Sequence, residues 1–168
     1  MEKGIAEMVY DQEEQGIMAG GFILQDYPMA EKDLRPYSAL AFAYIGDSVF
    51  DLIIKTHLIT QGYNRPNYYH ERAVRYVSAS AQTRIMKAIR PLLNEEEYNI
   101  FRRGRNSRMI SPAKNQSPHD YRIATGFEAL IGWLYLSGRQ ERIRELVAAG
   151  VEYIERKEDS EEEKDHGV

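Results

Sequence analysis

The sequence predicts an all-α protein, and three observations carry that prediction. Proline, glycine and asparagine punctuate the chain at intervals of about one helix length. No run of alternating β-branched residues reaches strand length. Two long apolar stretches, Leu40 to Ile59 and Tyr121 to Leu136, place their polar residues at spacings of three and four, which is helical periodicity.

Each element has its own signal. Pro36 suits the first turn of a helix running from Tyr37 to about Ile59 and ending near Gly62. Asn64-Arg65-Pro66-Asn67 reads as a loop, followed by a helix from about Tyr68 to Val77. A helix over roughly Ser80–Ile89 is stopped by Pro91. Asn94 is a good N-cap, and Glu95, Glu96 and Glu97 fill the first turn, where the helix dipole favours acids. That helix is expected to stop at Gly104. The segment from Gly104 to Pro118 is rich in Arg, Asn, Ser and Lys and reads as an exposed loop. Ser117-Pro118 opens a helix that ends at Ser137-Gly138, and a last helix covers Gln140 to about Glu155.

The chain has 168 residues, enough for one domain. It is 43% hydrophobic and 29% charged, a composition that supports a packed core. It has no cysteine, which excludes disulfides, thiolate catalysis and cysteine zinc sites. No basic region leads into an apolar core at the start, and Asp47, Asp51 and Lys55 interrupt the best membrane-span candidate. The expectation is a soluble, cytoplasmic protein with no membrane partner.

The net charge of −4 conceals a strong asymmetry. Residues 1–33 carry −6 and residues 152–168 carry −5, whereas residues 34–151 carry +7. A basic body therefore lies between two acidic ends. The expected organisation is an acidic N-terminal extension over 1–33, a folded domain over 34–155, and an acidic, disordered tail over 156–168.

Two acids stand in apolar helices. Tyr44, Asp47, Ser48, Asp51 and Lys55 fall on one face of the first, and Thr125 and Glu128 share a face with Gly132 in the second. Gly46, Gly126 and Gly132 each cost helix propensity, about 1 kcal/mol against alanine. Close backbone approach is the physical gain, so the two helices are expected to cross near these glycines. Oxygen donors suit a hard cation, and magnesium commonly takes one or two carboxylates plus waters and phosphate. Such a site suits phosphodiester hydrolysis. The alternative is a solvated stripe in which Asp51 and Lys55 form a weak ion pair one turn apart.

A second constellation is Phe101-Arg102-Arg103-Gly104-Arg105-Asn106-Ser107-Arg108, followed by Lys114-Asn115. Arginine binds phosphate through paired N–H donors, and contacts of this kind go to the nucleic-acid backbone rather than to base edges. The alternative is a solvated basic loop without a ligand. His70 and His119 stand alone, and twelve tyrosines suit packing more than base stacking. There is no P-loop, dinucleotide fingerprint or nucleophile elbow.

These residues carry a family resemblance. Phe42-Ala43-Tyr44-Ile45-Gly46-Asp47-Ser48-Val49 resembles the signature helix of ribonuclease III, and Gly126-Phe127-Glu128-Ala129-Leu130-Ile131-Gly132 resembles that family's second acidic motif. The similarity is closer to the small branch, Mini-ribonuclease III, through Val77-Ser78-Ala79, Arg102-Arg103-Gly104-Arg105-Asn106, Pro112 with Lys114-Asn115, and Tyr121-Arg122 leading into Ala124-Thr125-Gly126. It covers about residues 36–150 in order.

The resemblance implies an all-helical endonuclease domain that dimerises and cuts double-stranded RNA with Mg²⁺. It implies Asp47 and Glu128 as catalytic, metal-holding carboxylates. It also implies Arg102, Arg103, Arg105, Asn106, Lys114 and Asn115 as RNA contacts, and precursor large-subunit ribosomal RNA as substrate. The small branch lacks a double-stranded-RNA-binding domain, and only a short acidic segment follows residue 155 here. The larger enzymes carry a glutamate four residues before the signature aspartate and an aspartate three before the second glutamate. This chain has Ala43 and Thr125 there, with Asp51 a candidate assisting acid. Two other readings stay open: on this substitution, a non-catalytic RNA-binding or ribosome-associated module on the same fold; and a helical scaffold whose acids are surface stripes and whose basic loop binds another protein's acidic patch.

Overall fold

A computed structural model of the chain describes residues 27, 29, 31–62, 66–107 and 117–165. Among these residues six α-helices follow a short 3-10 turn, Glu31–Leu34: α1 Ala39–Thr60, α2 Pro66–Val77, α3 Ala79–Ile89, α4 Glu95–Arg105, α5 Pro118–Leu136 and α6 Gln140–Asp165. No strand occurs among the described residues. None of the described helices is long and apolar enough to cross a membrane.

The helix starts follow cap chemistry more closely than proline position. Ser38, not Pro36, begins α1: its hydroxyl accepts from the Ala41 N–H at 3.2 Å. Ser78 does the same for α3. At α4, Asn94 forms a full capping box with Glu97, each side chain accepting from the other's backbone N–H at 2.9 and 3.0 Å. Pro66 enters α2 as its first residue, so the helix starts two residues before Tyr68. Pro91 lies in a 3-10 turn, Arg90–Leu92, that ends α3 as expected.

Two glycines end helices in the left-handed region, Gly62 at φ +80° and Gly138 at φ +71°. After α5 the chain makes a Schellman turn, with Arg139 N–H donating to the Leu134 carbonyl and Gly138 N–H to Tyr135. Gly104 behaves differently. It does not stop α4, which continues to Arg105, because its role is in packing.

The last helix runs ten residues beyond the expected end near Glu155 and takes in most of the segment expected to be a disordered tail. Arg156 pairs with Glu152 one turn back, and such pairs support a helix whose acidic composition alone argues for solvation. The acidic extension expected over 1–33 lies mostly outside the described residues.

α5 is the centre of the molecule. It packs most extensively on α1, then on α4 and α3. Phe50 of α1 meets Phe127 of α5 edge to face, with centroids 4.9 Å apart. Phe42, Ile54, Phe101 and Leu134 are among the buried side chains around them. The opposite end is tied by Glu97, 2% exposed, which accepts from Arg142 of α6 at 2.7 and 2.9 Å. Not all of α1 is buried. Leu40, Tyr44, Leu52 and Ile59 are exposed, Tyr44 to 83%.

Candidate active site

The crossing of α1 and α5 is a contact of backbone on backbone. A β-carbon at Gly46 would overlap the Glu128 carbonyl oxygen and lie 2.7 Å from the Gly132 nitrogen. One at Gly132 would overlap the Phe42 carbonyl and lie 2.9 Å from Ile45 Cγ2. Both glycines were expected at this crossing, and both are required by it. Gly126 serves a different one: its missing β-carbon makes room for the Phe101 ring and carbonyl of α4.

This contact places Asp47, the next residue after Gly46, beside the turn that carries Glu128. The Glu128 carboxyl senses Asp47. Glu128 is pushed up to about 7, first by burial and then by the negative charge of Asp47. A hydrogen bond from the Gln82 amide acts in the opposite direction. Asp47 is also raised, by partial burial and by the neighbouring charge of Asp51, with Lys55 offsetting part of the effect. Acids raised in this way by burial and by a neighbouring carboxylate are common at functional sites.

The remaining acids of the stripe are placed otherwise. Asp51 accepts an ion pair from Lys55 at 2.6 Å, on the exposed face of α1. Ala43 is buried in the core, and the Thr125 hydroxyl donates to the Tyr121 carbonyl at 3.0 Å within its own helix. Neither supplies an oxygen to the site. Among the described residues no group of three or more His, Asp or Glu side chains gathers to hold a metal. Two carboxylates alone still match what Mg²⁺ takes from a protein, since it keeps several waters and uses substrate phosphate for the rest. The donor set is all oxygen and excludes the softer metals.

The basic cluster reaches the same part of α5 through α4. A β-carbon at Gly104 would lie 2.7 Å from Ala129 Cβ and 2.9 Å from Gly126 Cα, so the end of α4 crosses α5 within one turn of Glu128. Arg102, Arg103 and Asn106 are exposed there. Arg105 stacks near the Phe101 ring and donates to Asn106 at 3.2 Å, while Arg103 reaches the Tyr37 carbonyl. Lys114 and Asn115 lie outside the described residues.

One residue at the site was not singled out in the sequence. Gln82 is 2% exposed and its amide nitrogen donates to the Val77 carbonyl at 3.1 Å and to Glu128 Oε1 at 3.3 Å. The signal was present: Gln82 occupies the core-facing side of α3, with Ile85, Met86 and Ile89. A polar side chain in such a row needs a partner inside the protein.

Comparison with known proteins agrees with this geometry. Residues 40–139 match the model of the Ribonuclease III domain. Mini-ribonuclease 3 of Brevibacillus brevis is 47% identical over 124 residues, covering 74% of this chain and 92% of that protein. Mini-ribonuclease 3 of Clostridium tetani is 39% identical over 138 residues, covering 82% and 91%. A crystal structure of a Fusobacterium nucleatum protein is similar with a TM-score of 0.63 and 34% identity, covering 69% of this chain and 94% of that one. With a helical fold, the match to the Ribonuclease III domain and these relatives, the chain belongs to the ribonuclease III family and is an endoribonuclease.

Proposed function

We propose that this endoribonuclease is a homodimer that cuts double-stranded RNA with Mg²⁺, acting in maturation of the large-subunit (23S) ribosomal RNA precursor. Asp47 and Glu128 are its catalytic carboxylates and hold the metal. The observation that carries this reading is the glycine-lined helix crossing that sets Asp47 beside Glu128, where its charge raises the Glu128 carboxyl.

The residues divide the work. Asp47, on the exposed face of α1, meets solvent and substrate, whereas Glu128, half-buried on α5, is fixed by its surroundings. A Mg²⁺ ion held by these two carboxylates would supply Lewis acidity toward phosphate and water; hydrolysis that adds water to phosphorus and breaks the bond to the 3′ oxygen would leave a 5′-phosphate and a 3′-hydroxyl. Asp51 acts on Asp47 as a neighbouring negative charge, itself balanced by Lys55. Arg102, Arg103, Arg105 and Asn106, with Lys114 and Asn115, bind the RNA backbone, which makes affinity salt-dependent and poor in sequence information. The exposed apolar side chains of Leu40, Tyr44 and Leu52 on α1 support pairing with a second copy.

The test is incubation of the purified protein with duplex RNA and with precursor large-subunit ribosomal RNA, with Mg²⁺ or with EDTA. Discrete fragments with 5′-phosphate ends, in Mg²⁺ only, are expected. Binding without products would contradict the proposal.

A further inference from the structure

We infer that Gln82 is a positioning residue, holding the Glu128 carboxylate from α3 so that it faces Asp47; this rests on the reading of Glu128 as a catalytic carboxylate. The geometry is specific. Gln82 is 2% exposed, and its amide nitrogen bridges two acceptors, the Val77 carbonyl at 3.1 Å and Glu128 Oε1 at 3.3 Å. The Val77 carbonyl fixes which way the amide faces, because only the nitrogen end can donate to it. Val77 immediately precedes Ser78, whose hydroxyl caps α3, so the orientation is set by the helix start itself.

The cost of this arrangement argues for its use. The Gln82 amide oxygen is buried with no hydrogen-bond partner. A core that needed only volume at this position would be more stable with methionine or leucine, since an unpartnered buried acceptor is unfavourable. Ile85, Met86 and Ile89 fill the same row of α3 in that way. What Gln82 gains is a hydrogen bond to one of the two carboxylates of the site. Glu128 has three side-chain torsions and sits between α1 and α3, and a donor fixed at its oxygen removes that freedom before substrate arrives. The chain lacks the further family carboxylates at Ala43 and Thr125, so the orientation of each remaining one counts for more.

The experiment compares wild type, Gln82→Met, Gln82→Asn and Glu128→Gln on one duplex RNA across a Mg²⁺ titration. Gln82→Met keeps the volume and removes the donor. It is expected to lower kcat by about tenfold or more and to raise the Mg²⁺ concentration for half-maximal rate, with KM for RNA unchanged and the thermal midpoint at or above that of wild type. Gln82→Asn keeps the amide but is one methylene too short to bridge both acceptors, and its kcat is expected between the two. An inactive Glu128→Gln beside a fully active Gln82→Met overturns the positioning role alone. Full activity of Glu128→Gln overturns the reading beneath it. Failure of both Gln82 variants to fold, or a rise in KM without loss of kcat, assigns the side chain to the core or to RNA binding and overturns the inference.

Discussion

Gly46 and Glu128 meet backbone to backbone: a β-carbon on the first would occupy the space of the carbonyl oxygen of the second. This contact sets the separation of α1 and α5 and, through the residue after Gly46, the position of Asp47 relative to Glu128. Gly46→Ala is therefore expected to destabilise the fold by about 2 kcal/mol or more, because backbone cannot yield as a flexible side chain does. Cleavage should fall further than the folded fraction. Thermal unfolding and kcat, measured on the same preparation, check both.

The raised Glu128 gives a pH dependence of stability with a definite sign. Its folded-state value, about 7, lies above the ordinary 4.5, so the fold favours the protonated acid. The stabilisation is fully present below about pH 4.5 and is lost as pH rises through about 7. Glu128→Gln keeps an oxygen for the Gln82 donor but never ionises. In metal-free buffer it is expected to match wild type near pH 4.5 and to exceed it by about 2 kcal/mol near pH 8. Chemical denaturation at the two pH values is the check. Added Mg²⁺ should stabilise wild type and leave the variant unmoved.

At the opposite end, Arg142 joins Glu97 and the Leu92 carbonyl, its donor to the latter at 2.6 Å. Arg142→Met leaves the nearly buried Glu97 carboxylate without its cation and is expected to cost about 2–4 kcal/mol. The denaturation midpoint reads the loss. Because this pair lies away from Asp47, the Mg²⁺ dependence of cleavage should not change.

The basic end of α4 is expected to affect binding rather than chemistry. Arg102→Ala should raise KM for duplex RNA with kcat retained, and should reduce the slope of log affinity against log salt by about one. Filter binding at several salt concentrations gives the slope directly.

Much of this molecule was legible in the sequence, for reasons visible at individual residues. Asn94 with three following glutamates announced α4, and Ser137-Gly138 announced the end of α5, because caps and left-handed turns are local chemistry. Gly46 and Gly132 in apolar helices announced a close crossing, because little else repays their cost. Gly104 was misread as a stop, since a glycine needed for packing and one needed for a turn look alike in sequence. Pro36 was given the place that Ser38 holds, because both are start signals two residues apart. Asp47 and Glu128 were visible as acids in apolar helices, yet Gln82 was not, since its partner lies 46 residues away.

The most direct test of the central claim is to measure binding and cutting separately in wild type, Asp47→Asn and Glu128→Gln. Each protein is mixed with long duplex RNA in Mg²⁺, and bound RNA and cleaved ends are quantified in parallel. Folded variants that bind RNA as wild type does and release no 5′-phosphate fragments are the predicted result. Cleavage by Asp47→Asn at the wild-type rate would contradict the account.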